Sequence, residues 1–103
     1  MIRAEFYDSK GLLNGFSISG HAGYAEKGSD VVCASVSSAV QLIVNLLNEF
    51  DCEPKMNIGE NIVECKTTSC PNTASAMLEQ LKLHFEAILE EFPKTIKITI
   101  SEV

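Results

Sequence analysis

His21, Asp30 and Cys33 fall within thirteen positions of one another, and Gly20, Gly23 and Gly28 punctuate the stretch that holds them. These residue types together make up the parts of nucleophilic thiol chemistry. A thiol attacks a carbonyl near neutral pH when a field favours the thiolate and a base takes the proton. A helix N-terminus supplies such a field, and an imidazole within hydrogen-bond reach supplies the base. Unpaired N–H groups at the same helix end stabilise an oxyanion. Cys33 opens the longest apolar helical pattern in the chain, about three residues after Ser29 or Asp30, either of which suits an N-cap. Asp30 either orients the imidazole or caps the helix. His21 stands at the end of a strand pattern, with a loop long enough to return it to Cys33. Tyr24 either closes over a bound peptide or packs locally. Gly20 and Ser37 complete the set of candidate substrate contacts.

The elements that must position these groups follow from periodicity. Residues 1–8 alternate, with Ile2, Ala4 and Phe6 on one face, and 12–19 alternate again after the turn at Ser9-Lys10-Gly11. In the second run Leu12, Asn14, Phe16 and Ile18 oppose Leu13, Gly15, Ser17 and Ser19, and Gly15 weakens the strand or marks a bulge. From 31 to 50 the period becomes helical, with Val36, Ala39, Val40, Ile43, Leu46, Leu47 and Phe50 on one stripe. Few charges lie in this segment, so the expected helix is buried on most sides. Residues 55–58 and 61–68 form a second hairpin through Gly59-Glu60. Asn72 or Thr73 caps a second helix reaching about Phe92, with Ala74, Met77, Leu78, Leu81, Phe85, Ile88, Leu89 and Phe92 facing inward. Its other face carries Glu79, Lys82, Glu86, Glu90 and Glu91, and His84 is read as a surface residue. Pro93 stops it, and 95–100 form a last strand. The order β-β-α-β-β-α-β predicts a single two-layer α+β domain over residues 1–103, with a mostly antiparallel sheet and two helices.

Composition narrows the function. The chain has 103 residues, 46% apolar and 21% charged, with a formal net charge of −6. That balance argues against direct nucleic-acid binding and suits a basic peptide partner. No secretory signal is visible, and the apolar run from 31 to 47 is interrupted by Ser35, Ser37, Ser38, Gln41 and Asn45, so no membrane span is expected. A cytoplasmic protein is the default. Cys33, Cys52, Cys65 and Cys70 form no C-x-x-C pair and the two histidines lie far apart, so no metal site, no cofactor and no dithiol redox chemistry are expected. Cys52, Cys65 and Cys70 read as small apolar filler. The serines lack a second histidine to serve a serine triad.

Gly20-His21-Ala22-Gly23-Tyr24 followed by Gly28-Ser29-Asp30-Val31-Val32-Cys33-Ala34-Ser35-Val36-Ser37 resembles the signature of the bacterial ribosomal-processing cysteine proteases, the Prp family. Val31 stands where Ile is more usual and Ser35 where Ala is; neither change removes a reactive group. The resemblance covers essentially the whole chain. It implies an endopeptidase with Cys33 as nucleophile, His21 as general base and Asp30 in support. The implied substrate is a ribosomal protein: large-subunit ribosomal protein twenty-seven, from which an N-terminal extension is cut. It also implies a homodimer. Two alternatives from other classes stand beside it. One is a non-catalytic ribosome-associated binding module with Cys33 buried. The other is a different thiol enzyme, such as a small acyltransferase.

Overall fold

The computed structural model describes residues 1–20 and 29–103, and at Ser29 and Asp30 the backbone alone. The elements run β1 (Ile2–Ser9), β2 (Leu12–Ser19), α1 (Ser29–Glu49), β3 (Pro54–Gly59), β4 (Ile62–Thr67), α2 (Pro71–Glu91) and β5 (Ile96–Glu102). The sheet order is β3-β4-β2-β1-β5. Every pairing is antiparallel except β1 with β5. These pairings make both helices crossovers between strands that run the same way: α1 passes over β4 to reach β3, and α2 passes over β2 and β1 to reach β5. The expected two-layer α+β arrangement is therefore what forms.

Alternation sorts the sheet into two faces. Ile2, Ala4, Phe6, Phe16, Ile18, Cys65 and Ile96 are buried on the helix side. Arg3, Glu5, Ser17, Lys97 and Thr99 share the other face, which no helix covers. The centre of the core is aromatic: the Phe6 ring lies 6.5 Å from Phe16 and 6.1 Å from Phe85, both tilted at 52°. Such tilted contacts add to the burial of the rings themselves.

One strand departs from simple alternation. The β1–β2 register shifts at Tyr7/Asp8, so that Tyr7 faces Gly15 and Asp8 faces Leu13. Asn14 is the extra residue of a β-bulge. The bulge turns Leu13 onto the core side, where it is buried, rather than leaving it opposite Phe16. Gly15 sits beside it because a Cβ there would lie 2.4 Å from the carbonyl oxygen of Cys65, and only glycine lets β2 approach β4 so closely.

Several boundaries move from those that the sequence suggests. α1 is described from Ser29, and the capping expected of Ser29 or Asp30 lies outside the described residues. α2 begins at Pro71, with Cys70 in the left-handed conformation as N-cap in place of Asn72 or Thr73. Proline is favoured there because its missing N–H would be unpaired anyway. In the second hairpin Gly59 closes β3 and the turn is Glu60-Asn61, with Asn61 at φ 61. α1 is also less enclosed than expected. Val32, Val36, Ile43 and Leu47 are buried, whereas Val31 and Leu42, and Phe50 just past its end, are more than half exposed. Its span 31–49 is long and apolar enough to cross a bilayer by composition. Here one face of it is built into the core against α2 and the sheet.

Candidate active site

One end of the sheet gathers the first residue of β1, the last of β2 and the first of β4. α1 starts at that same end. The result is a cavity of about 220 Å³ lined by Cys33, Val36 and Ser37 of α1. Ile2, Ile18, Ser19 and Gly20 line it from β1 and β2, and Gly59, Asn61, Ile62 and Val63 from the second hairpin. Cys33, Val36 and Ser37 share a helix face because they are three and four positions apart.

Cys33 is a free thiol, half-buried, packed on the margin of the core. It is the fifth residue of α1 as described from Ser29, near the N-terminal end of the helix. Helical side chains lean back toward the N-terminus, over the preceding turn. Its sulfur is therefore directed toward the N-terminal end of α1.

Gly20 is fixed by two observations. Its φ is +82, and a Cβ would come within 2.7 Å of the Met1 carbonyl oxygen. Its N–H donates to the Asn61 carbonyl at 3.2 Å, which ties the end of β2 to the turn of the second hairpin. Ser37 is exposed and stands one turn beyond Cys33 on the same wall. Cys33, Gly20 and Ser37 are thus brought to one cavity. His21 and Tyr24 lie outside the described residues, as does the side chain of Asp30.

The hairpin contributions from Gly59, Asn61, Ile62 and Val63 are not foreseen by the sequence. The Gly59-Glu60 turn signal is visible in it, but the pairing of β4 with β2 that carries this turn to Cys33 is non-local. His84 is exposed, as expected for a surface residue.

The other cysteines divide. Cys52 and Cys65 are fully buried, and Cys70 is exposed at the start of α2 instead of filling the core. Burial pushes the Cys65 thiol up to about 11 and raises that of Cys52, disfavouring thiolate at both. Neither is suited to nucleophilic work near neutral pH. Among the described residues no cluster of three metal-ligating side chains occurs.

Comparison with known proteins gives a consistent picture. The family described as cysteine protease Prp matches residues 1–97. A Bacillus subtilis (strain 168) protein, the ribosomal processing cysteine protease Prp, is 31% identical over 100 residues, covering 87% of each chain. Among solved structures, SMU.848 from Streptococcus mutans is 28% identical with a TM-score of 0.79, covering 100% of this chain and 96% of that one. The ribosomal processing protease Prp from S. aureus, in complex with a substrate peptide, superposes with a TM-score of 0.86 at 21% identity, over 98% of this chain and all of the other.

Proposed function

The chain belongs to the Prp family of cysteine proteases, and on that premise we propose that it removes the N-terminal extension of large-subunit ribosomal protein twenty-seven with a Cys33–His21 dyad. The observation that carries this reading is the placement of Cys33. It is a free, half-buried thiol on the opening turns of a helix, facing a cavity where three strand ends meet. The B. subtilis relative is a ribosomal processing protease, which supports a ribosomal protein as substrate. A net charge of −6 suits a basic partner of that kind.

In the proposed reaction His21 takes the thiol proton and Cys33 Sγ attacks the scissile carbonyl. First-turn N–H groups of α1 hold the oxyanion. The protonated imidazole then gives its proton to the leaving amine, and a thioester remains on Cys33. Water, deprotonated by His21, hydrolyses the thioester and frees the thiol. Asp30 orients the imidazole, and Gly20, Ser37 and Tyr24 contact the peptide. The protein works in the cytoplasm as a homodimer. The groove of about 870 Å³ between α1 and α2, where Leu42 and Leu83 are exposed, is the face a second copy would cover.

The test is cleavage of the extended ribosomal protein, or of a peptide spanning its junction, by wild type, Cys33→Ala and His21→Ala. Cleavage by wild type alone supports the dyad. No cleavage by wild type, together with slow alkylation of Cys33, favours the binding module. Sedimentation velocity of wild type beside Leu42→Lys tests the dimer: a wild-type monomer removes it.

A further inference from the structure

The cavity at Cys33 continues into a surface that the fold leaves open. β3 is an edge strand whose strand neighbour is β4, so its outward N–H and C=O groups are not used by the sheet. It runs toward the site, because its last residue, Gly59, lines the cavity together with Cys33. Met56 pairs with Cys65 and Ile58 with Val63. Directly opposed residues share a face, so both point to the helix side of the sheet. α1 does not cover them there: Met56 is 36% exposed and Ile58 72%. Natural proteins guard edges with charge, proline or a covering element. On β3 those guards, Pro54 and Lys55, stand at the end far from the thiol, and nearer to it two apolar side chains, two residues apart, lie exposed.

We infer that the polypeptide substrate adds to β3 as a sixth strand, with alternate side chains resting on Met56 and Ile58 and the scissile carbonyl carried to Cys33. The inference rests on the protease reading and gives that site its binding surface. A peptidase must hold its substrate extended, and strand addition does so with backbone hydrogen bonds. Successive residues in a strand alternate faces, so apolar contacts two apart on β3 match apolar residues two apart in the peptide. The intervening peptide residues lie beside Lys55 and Asn57 and carry little selectivity. The other edge strand, β5, also exposes an isoleucine, Ile100. β5 begins at the cavity end, where Ile96 pairs with Ile2, but none of its residues lines the cavity and Ile100 pairs with Phe6, four residues further along.

The experiment measures kcat and KM of the wild-type protein on a junction peptide, on versions carrying one backbone N-methyl group each, and of Ile58→Glu on the unmodified peptide. N-methylation at alternate positions on one side of the scissile bond is expected to lower kcat/KM about tenfold through KM, the positions between by less than about threefold. Ile58→Glu is expected to raise KM about tenfold while keeping kcat and the thermal midpoint. A flat N-methyl profile, or an Ile58→Glu protein that cleaves as wild type does, overturns the strand-addition inference and leaves the protease reading standing. Wild type that cuts no junction peptide overturns the protease reading itself, and the inference with it.

Discussion

The two helices are each 21 residues long and each follows a hairpin, and each has a cysteine at or near its start. Cys33 and Cys70 nonetheless stand in different surroundings. Cys70 is the N-cap of α2, in the left-handed conformation and exposed, with the Ser69 hydroxyl 3.7 Å from its sulfur. The residue after it is Pro71, which removes one of the N–H donors that a helix start would otherwise offer. Cys33 is half-buried at the fifth position of α1, and strand ends and a hairpin turn close around it. Both helix ends carry the same macrodipole. What separates them is that Cys33 itself lines its cavity, whereas the hollow of about 250 Å³ beside the start of α2 is lined by Ser69 and Pro71 but not by Cys70.

The largest expected effect tests this contrast directly. Cys33→Ala should lower kcat/KM on a junction peptide by about a thousandfold or more, because a nucleophile has no substitute in a covalent mechanism. Cys70→Ala should stay within about twofold of wild type, since no reacting group is removed. Comparable losses at both positions would break the comparison.

A second effect separates open thiols from closed ones. In the native protein at neutral pH, Cys33 and Cys70 should alkylate readily, while Cys65 should react at least about a hundredfold more slowly because little of it is thiolate. Peptide mapping by mass spectrometry reads all four, and in denaturant the differences should collapse. Burial raises the Cys65 pKa above its unfolded value, to about 11. Its contribution to stability is therefore fully present below the unfolded pKa and is lost as pH rises toward about 11. Denaturant midpoints should fall across that alkaline window, and Cys65→Ala should flatten the fall.

The contrast between the helices was only partly legible in the residues. The element order, the Phe6–Phe16 face, the α2 stripe and the glycine-rich approach to Cys33 follow from local period and turn chemistry. α1 was harder to read. Its lack of charge suggests burial on most sides, but Leu42 and Val31 are exposed. Composition reports what a helix tolerates, whereas the width of sheet beneath it decides what is covered. The bulge at Asn14 was equally hidden: Gly15 marked the place, but only the approach of β4 shows that Leu13 turns inward. The hairpin side of the cavity depends on β2–β4 pairing across some fifty residues of sequence, which no local pattern encodes.

That pairing can be broken at one atom. Gly15→Ala places a methyl 2.4 Å from the Cys65 carbonyl oxygen and 3.3 Å from Lys66 Cα, both backbone. β2 and β4 must part to admit it, at a cost of about 2–3 kcal/mol by analogy with overpacked cores. Activity should fall with stability, because the second hairpin is what closes the cavity over Cys33. Gly59→Ala sharpens the point: its Cβ would meet only the Ile62 side chain at 3.1 Å, which can shift. Denaturant unfolding of the two variants should differ by about 2 kcal/mol.

The smallest expected effect lies on α2, which contributes nothing to the Cys33 cavity. Ser75 is buried, and its hydroxyl accepts the Leu13 N–H at 3.0 Å, joining α2 to β2 across 62 positions of sequence. The bulge that turned Leu13 inward also placed its backbone where α2 can supply an acceptor. Ser75→Ala removes that acceptor without opening a large void and leaves a buried donor unpaired, so stability should fall by about 1–2 kcal/mol. Cleavage at temperatures well below the unfolding transition should be unchanged within about twofold, because no group near Cys33 moves. Ser75→Thr, which keeps an acceptor but adds a methyl, should recover part of the loss only if the site can admit the extra volume. A Ser75→Ala protein that keeps its stability but loses cleavage would mean that α2 acts on the reaction through the sheet, and that the two helices are less separate than their surroundings imply.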